Sequence, residues 1–278
     1  MAPLIQDVLR LGVWLVLLLA VFVPVEKVWV LRPQRVLRRG FGTDLAYYFL
    51  SGLLPKLLLV LPISVLAGLM HSQTQIGFYA WTAGIPGWLR LPLAMMVGDI
   101  GSYWGHRWTH QIPLLWRFHS IHHGAEEIDW LVNSRAHPID MVFVRVCGLV
   151  PMYLLGLAQP TGSTADLVPV LVTLLGNFWG FFIHANIKWR FGWLEYLVSS
   201  PAFHHWHHTN DRPENTNKNY AALLPWVDKL FGTLYLPNSW PTQYGVDGPL
   251  PSDLAGQLLH PITARHSPRQ KPGPPSVA

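Results

Sequence analysis

Residues 89–110, LRLPLAMMVGDIGSYWGHRWTH, join an apolar run directly to a pair of histidines. The run from Leu89 to Trp104 approaches the roughly 20 residues that a membrane-spanning helix needs. His106 and His110 follow at a spacing of four, which places both side chains on one face of a helix. The stretch therefore predicts a helix that crosses a membrane and carries imidazole groups where it emerges.

Four further apolar stretches predict more helices of the same kind. They cover residues 11–30, 45–69, 139–157 and 167–183. The first has no small-residue cleavage site before VPVEKVWVLRP, so we expect a retained helix rather than a removed signal peptide. The predicted fold class is all-α: an integral membrane bundle of four or five transmembrane helices with a cytosolic, histidine-rich helical cap.

The composition also favours a membrane protein. Hydrophobic residues make up 50% of the 278 residues and charged residues only 13%, well below the roughly 25% that is typical of soluble domains. The single cysteine, Cys147, excludes an internal disulfide and a metal site built from several thiolates. The net charge of +5 arises in short basic stretches beside apolar runs, and the sequence has no nucleic-acid-binding motif. We therefore expect no nucleic-acid partner.

The distribution of Lys and Arg orients the predicted helices. The loop RPQRVLRR, residues 32–39, is rich in arginine, and the positive-inside rule places such a loop in the cytoplasm. Counted forward from that loop, the segments after residues 104 and 183 return to the same side. All the histidine clusters lie in these segments, so we expect a multi-pass protein with its histidines on the cytoplasmic face.

Three histidine clusters have the spacing of metal ligands: HRWTH, HSIHH and HHWHH. Neutral imidazole binds Fe, Zn, Cu and Ni, and residues three or four apart share a helix face, so each cluster can direct its ligands at one point. Eight ligands exceed the three or four of a single zinc site and suit a pair of transition-metal ions. The predicted ligands are His106, His110, His119, His122, His123, His204, His207 and His208.

Three other histidines lie near these clusters. His184 ends the last apolar stretch and is a further predicted ligand. His137 is a tenth candidate, either as a ligand or as a hydrogen-bond partner of one. His205 is about 100° out of phase with His204 on a helix, so we expect its side chain to face solvent or substrate.

Two aspartates are candidate acceptors for the second N–H group of a ligating imidazole. Asp99 precedes His106 by seven residues, nearly two helical turns, and therefore lies on the same face. A carboxylate in an apolar stretch should have a partner, and the His106 imidazole is a candidate. Asp140, just after the NSRAHP stretch, is the second candidate.

At these residues the sequence resembles the fatty acid hydroxylase and sterol desaturase superfamily of integral membrane di-iron oxygenases, in its bacterial form. The similarity lies in GDIGSYWGHRWTH, LLWRFHSIHHGAEEIDW, NSRAHPID and SSPAFHHWHHTN, and it continues through NKNYAALLPWVDKLFGTLYLP. The implied organisation is N-terminal transmembrane helices over residues 1–90 and a di-iron domain over 91–240. A C-terminal extension covers 241–278, and its Pro-rich end from His266 is expected to be disordered.

The resemblance implies that two iron ions occupy the histidine clusters and that the protein oxidises a lipid. Such an enzyme uses O2 and two electrons to hydroxylate or desaturate a C–H bond of a fatty acyl, sterol, isoprenoid or related lipid. The sequence has no GxGxxG loop and no cysteine-rich iron–sulfur module. We therefore expect a separate NAD(P)H-dependent electron donor, a ferredoxin or a small cytochrome. A bacterial member would lie in the inner membrane.

A membrane metal-ion transporter and a membrane zinc hydrolase are the alternative functions. A transporter is expected to carry polar or ionisable residues along its spans, and few interrupt the apolar stretches here. A zinc hydrolase would favour an HExxH or GxSxG motif, and neither occurs. Metal content and oxygen dependence separate these functions from a di-iron oxygenase.

Overall fold

The computed structural model describes residues 2–73, 76–158 and 167–264, and these residues are all-α, as predicted. Two isolated bridges, Val30 with Ile187 and Thr209 with Tyr244, are the β-pairing within those ranges. The expected disorder from His266 onward lies outside the described residues. The α-helices, in chain order, are α1 Ala2–Val28, α2 Phe41–Leu58, α3 Val60–Gln73, α4 Ile76–Ala83, α5 Gly87–Gln111, α6 Pro113–His123, α7 Pro138–Leu154, α8 Leu167–His184, α9 Pro201–His207, α10 Pro225–Leu230 and α11 Leu254–Thr263.

Helix α1 is the one helix of the described residues that is long and apolar enough to cross a membrane. Its apolar part, Pro3–Val28, has a mean hydropathy of 2.5, and only 11% of its most apolar 18 residues are buried. Most of its apolar side chains therefore face outward. Helix α8 contains a shorter apolar part, Val170–His184. The bundle of four or five spans accordingly stays a prediction.

The apolar stretch 45–69 does not form the single helix that we predicted. Helix α2 ends at Leu58, a turn follows at Leu59, and α3 begins at Val60. Pro62 has no N–H group to donate to the carbonyl of Leu58, so the helical hydrogen bonding is interrupted here. The resulting helices of 18 and 14 residues are both shorter than the roughly 20 residues of a straight membrane span.

Glycine residues bring α5 and α7 into close contact. A Cβ atom at Gly101 would overlap the carbonyl oxygen of Cys147, and one at Gly105 would lie 2.8 Å from the Cβ of Cys147. Small residues of this kind allow two helices to approach almost backbone to backbone. The contact fixes the end of α5, which carries His106, against the beginning of α7, which carries Asp140.

The short 3₁₀ helix Trp130–Ser134 lies inside the main apolar cluster, between α1, α2 and α8. Trp130 stacks on Phe22 of α1 with ring centroids 5.9 Å apart, and it also contacts Phe181 of α8. Glu26 of α1 accepts hydrogen bonds from the backbone N–H groups of Trp130 and Asn186, both at 2.9 Å. The N-terminal helix is therefore joined to the loops that follow α6 and α8.

A buried network of ion pairs connects the loop before α2 to the loop before α7. The Arg38 guanidinium donates to Asp129 and Asp44, at 2.7 to 2.8 Å, and Arg135 donates to Asp44 at 2.5 Å. All four side chains are buried. Arg38 is thus engaged inside the protein, whereas its sequence context suggested a cytoplasmic charge flanking a membrane helix.

We predict that Asp44→Ala strongly destabilises the protein, because Arg38 and Arg135 stay buried and both lose the carboxylate that accepts their hydrogen bonds. Removing one partner of a buried ion pair costs about 3–5 kcal/mol, and equilibrium denaturation of the detergent-solubilised protein would measure the loss. The control is Glu214→Ala, because Glu214 forms an exposed pair with Arg212 at 3.9 Å that is worth less than about 1 kcal/mol. Equal losses in both variants would contradict a stabilising role for the buried network.

Candidate metal centre

Nine histidines from α5, α6, α8 and the α9 region converge on one centre. They form two groups, and within each group the candidate ligand atoms all lie within 4.8 Å of one another. Seven of the nine side chains are buried and two are half-buried. The first group consists of His106, His110, His119, His123 and His207, and the second group consists of His122, His184, His204 and His208.

Each HxxHH cluster is divided between the two groups. On α6, His119 and His123 belong to the first group, whereas His122 belongs to the second. In the α9 region, His204 and the C-cap residue His208 belong to the second group and His207 to the first. Our expectation that each cluster aims at one point is therefore wrong for HSIHH and HHWHH. In each cluster the first and last histidines, four residues apart, share a group. The middle histidine, three residues after the first, turns toward the other group.

Hydrogen bonds to Nδ1 fix the ring orientation of three ligands in the first group. His106 Nδ1 lies 2.7 Å from the carbonyl oxygen of Tyr220, and His207 Nδ1 lies 2.9 Å from that of Lys218. His119 Nδ1 contacts the Asp140 carboxylate at 3.0 Å. Since a carbonyl or carboxylate oxygen can only accept a hydrogen bond, Nδ1 of each ring carries the proton. The Nε2 atom of each neutral ring therefore keeps its lone pair.

Two members of the second group are oriented in the same way. His122 Nδ1 donates to the carbonyl oxygen of Arg135 at 2.8 Å, and His184 Nδ1 donates to that of Gly180 at 2.7 Å. His184 Nε2 then lies 3.3 Å from His122 Nε2, 2.9 Å from His204 Nε2 and 3.2 Å from His208 Nε2. The second group therefore directs its Nε2 atoms at a common point.

The facing Nε2 atoms fit a metal ion better than a hydrogen bond. His122 and His184 both have their proton on Nδ1, so their Nε2 atoms meet at 3.3 Å without a proton between them. The same holds for His106 and His119, whose Nε2 atoms are 3.1 Å apart. Two nitrogens at ~2.1 Å from one ion, at angles between ~90° and ~110°, would be about 3.0–3.4 Å apart.

The protonation state of the buried histidines also suits metal binding. Burial lowers the pKa of these imidazoles well below the usual value, and neighbouring imidazoles lower it further. Outside the apolar helices, the pKa is lowered in this way for His119, His122, His123, His204, His207 and His208. They are therefore neutral at physiological pH, which is the form that binds metal. Imidazole donors favour Fe, Zn, Cu or Ni over Mg and Ca, which prefer oxygen.

A comparison with protein families identifies the chain. The sequence model of the family described as fatty acid hydroxylase matches residues 91–233, just over half of the 278 residues. The chain belongs to the fatty acid hydroxylase family. This confirms the predicted membership of the fatty acid hydroxylase and sterol desaturase superfamily.

Three curated proteins are similar in sequence to this member of the fatty acid hydroxylase family. Ornithine lipid hydroxylase OlsE of Rhizobium tropici is 30% identical over 198 residues, which are 70% of this chain and 57% of that protein. Alkylglycerol monooxygenase of Danio rerio is 30% identical over 196 residues, 68% of this chain and 42% of that protein. A very-long-chain aldehyde decarbonylase of Oryza sativa subsp. indica is 29% identical over 48% of this chain and 21% of that protein.

The chain thus spans about half the length, or less, of the relatives it matches. No solved structure matches it.

The two predicted acceptors differ in their actual partners. Asp140 contacts His119, as described above, and so lies beside the first group. Asp99 does not contact His106, contrary to our prediction. Its carboxylate accepts from the backbone N–H groups of Leu223 and Leu224, both at 2.9 Å. Two backbone donors satisfy the carboxylate of this side chain, so it acts on the turn after Tyr220 and not on the imidazole.

The structure does not bring His137 into either group. Its Nδ1 atom accepts from the N–H of Ile139 at the start of α7, and its Nε2 atom donates to the carbonyl oxygen of Leu258 in α11. Both ring nitrogens are therefore engaged away from the centre. The geometry gives His137 a structural position between α7 and α11, and the other nine histidines form the candidate ligand set.

His205 is buried and does not face solvent, contrary to our expectation. Its Nδ1 atom accepts from the hydroxyl of Tyr244 at 2.6 Å, and its Nε2 atom donates to the carbonyl oxygen of Ala185 at 3.1 Å. The predicted phase is correct in one respect, because the ring lies outside both histidine groups. His205 joins α9 to the segment after α8 and to the C-terminal region.

The closing motif NKNYAALLPWVDKLFGT supports the first group, a role that spacing alone did not reveal. Asp228 accepts from the N–H groups of Tyr220 and Ala221 at 2.7 and 2.9 Å. Asn219 has a positive φ of 59° and donates to the carbonyl oxygen of Phe203 in α9. This turn presents the Tyr220 carbonyl to His106. The family motif marked these residues, but only the fold connects them to a ligand.

We predict that the two groups can be emptied separately. The double variant His184→Ala/His208→Ala removes half of the second group and leaves the five imidazoles of the first. The transition-metal content of purified protein, measured by inductively coupled plasma mass spectrometry, should fall from about two ions to about one per chain.

The matched control for this experiment is His205→Gln, since its side chain lies outside both groups and glutamine can still donate and accept hydrogen bonds. The control should retain the full metal content. Complete loss of metal in the double variant would show that the two groups do not bind independently.

We also predict that Asp140→Asn weakens metal binding at the first group. An amide is a weaker acceptor than a carboxylate for the Nδ1 proton of His119, and loss of such a partner typically lowers metal affinity about 10–100-fold. Competition with a fluorescent chelator would measure the affinity. The control is Glu127→Gln, which also replaces a carboxylate by an amide but at an exposed position. An equal loss of metal affinity in this variant would exclude a specific role for Asp140.

Proposed function

We propose that this protein is a membrane-bound, O2-dependent oxidoreductase that hydroxylates a C–H bond of a lipid at a centre of two iron ions. The observation that carries the proposal is the pair of adjoining, all-histidine groups whose Nε2 lone pairs face one another. Membership of the fatty acid hydroxylase family supports it. Nine imidazoles provide enough ligands for two ions, which would be held by the first and second groups respectively.

The names of the relatives support a lipid as the substrate. They are an ornithine lipid hydroxylase, an alkylglycerol monooxygenase and a very-long-chain aldehyde decarbonylase. These names share a lipid or long-chain substrate and differ in its chemical class. We therefore propose that the centre acts on a lipid.

Bound iron would supply the activation of O2 and the oxidation of the unactivated C–H bond. The contribution of this chain is to hold and orient the ligands. Tyr220, Lys218, Arg135 and Gly180 accept Nδ1 protons through their carbonyl groups, and Asp140 does so through its carboxylate. The buried position of seven of the nine rings limits the access of water to the centre.

We propose a multi-pass arrangement in which α1 crosses the bilayer and α2, α3, α5, α7 and α8 supply further apolar segments. Support comes from α1, whose apolar side chains are largely outward-facing, and from α8, whose Leu171, Leu174, Leu175 and Phe178 are exposed. The arginine-rich loop 32–39 favours a cytoplasmic location for the histidine centre. The catalytic domain would comprise residues 91–240.

The two electrons would come from a separate protein. O2-dependent hydroxylation consumes two electrons that the substrate does not provide, and residues 1–278 contain no nucleotide-binding GxGxxG loop. A ferredoxin or a small cytochrome that is reduced by NAD(P)H has the required chemistry. The transporter and zinc hydrolase hypotheses gain no support from the geometry, because nine convergent imidazoles exceed the three or four ligands of one zinc site.

We predict that purified protein loaded with Fe(II), given a reduced ferredoxin and lipid-containing membranes, adds one oxygen atom from O2 to a lipid. Mass spectrometry of the lipids after incubation with isotopically heavy oxygen gas would detect the label. A product that has instead lost two hydrogens would identify a desaturase.

The control for this reaction is the variant His119→Ala/His207→Ala, which removes two ligands of the first group and should be inactive. Glu127→Gln should retain the wild-type rate. Protein that holds zinc, consumes no O2 and yields no labelled lipid would contradict the proposed function.

A further inference from the structure

Residues 191–198, FGWLEYLV, form a surface segment between α8 and α9 that we call the aromatic segment. Its large side chains are apolar and exposed, to between 38% for Val198 and 70% for Trp193. Its only acidic side chain, Glu195, is 1% exposed and turned inward. The exposed members are Phe191, Trp193, Leu194, Tyr196, Leu197 and Val198.

The residues just before the aromatic segment lie beside the end of α1. The N–H of Lys188 donates to the carbonyl oxygen of Trp29, and the N–H of Leu31 donates to that of Asn186, both at 3.0 Å. The rings of Trp29 and Trp189 meet edge to face with centroids 5.1 Å apart. Since α1 ends at Val28, the segment starts at the level where the proposed membrane span leaves the bilayer.

The composition of the aromatic segment matches the interfacial layer of a membrane. Trp and Tyr are enriched at the boundary between hydrocarbon and water, because their rings combine an apolar body with a polar group. Trp193 and Tyr196 have this character, and Lys188 is exposed just before them. The segment also adjoins α8, because the rings of Phe191 and Phe182 have centroids 6.3 Å apart, and Phe178 of the same helix is outward-facing. This contact with an exposed apolar helix favours a lipid environment over a protein partner.

We infer that the aromatic segment inserts into the headgroup layer of the phospholipid bilayer on the side where α1 ends. The inference rests on the proposed function in one respect, namely that α1 spans the membrane. It adds a membrane contact outside the proposed spans, in the segment just before α9, that does not cross the bilayer.

Buried hydrogen bonds connect the aromatic segment to the metal-binding helix α9. The Glu195 carboxylate accepts from Arg190 Nε and from Ser200 Oγ, both at 3.0 Å. Ser200 is the N-cap of α9, and its hydroxyl also accepts from the N–H of Phe203. The next residue of α9, His204, belongs to the second group. These hydrogen bonds join the aromatic segment to the helix that carries His204.

The test measures membrane depth with a bimane fluorophore on single cysteines in full-length protein that carries Cys147→Ser. The test positions are Leu194→Cys and Leu197→Cys, which are exposed in the aromatic segment. Val16→Cys, exposed midway along α1, reports on the span. Glu214→Cys, exposed in a polar loop, is the aqueous control. The protein is reconstituted in phosphatidylcholine vesicles with bromine placed either near the headgroup or near the chain end.

Fluorophores at residues 194 and 197 should be quenched more strongly by bromine near the headgroup, and the fluorophore at residue 16 more strongly by bromine near the chain end. The fluorophore at residue 214 should be unaffected by either lipid. Quenching at residue 16 without quenching at 194 and 197 would overturn the inference, leave the membrane span in place and point to a protein partner. Absence of quenching at all of these positions would overturn the membrane arrangement of the proposed function as well.

Discussion

An imidazole that binds a metal through one nitrogen still carries a proton on the other, and a buried centre must provide an acceptor for it. This constraint governs the arrangement of five of the nine histidines, namely His106, His119, His122, His184 and His207. Backbone carbonyl groups of Arg135, Gly180, Lys218 and Tyr220 lie around the rings and accept these protons. The lone pairs of these rings are consequently directed inward, at distances that suit ligands of a shared metal ion.

The carbonyl groups need fixed positions of their own, and these come from charges outside the centre. Asp99 and Asp228 hold the turn that presents the Tyr220 carbonyl to His106. Arg135, whose carbonyl faces His122, has its side chain paired with Asp44. A buried carboxylate or guanidinium is costly to desolvate, so its retention in these places agrees with a role in fixing the acceptor loops.

The sequence was informative where the signal is local. Histidines at spacings of three and four predicted side chains of α5, α6 and the α9 region that meet in the two groups, and the apolar runs other than 45–69 predicted single helices. Contacts between distant residues were not accessible in this way. Nothing near Arg38 indicates that it pairs with Asp129, 91 residues away, and a basic loop beside an apolar run looks the same whether its arginine is buried or free. Asp99 shared a helix face with His106, but two closer backbone donors satisfy its carboxylate.

The division of each HxxHH cluster explains why two adjacent histidines are needed. Successive residues of a helix point about 100° apart, so an adjacent pair such as His122 and His123 can lie on either side of a boundary between two sites. Helices α6 and α9 both use this arrangement, and they face each other: His123 meets His207 across the first group, with Nε2 atoms 3.0 Å apart, and His122 packs on His208 across the second. A rotation of either helix would therefore displace ligands from both groups at once. The two histidine groups share these helices, which is why neither group can be assigned to a single sequence motif.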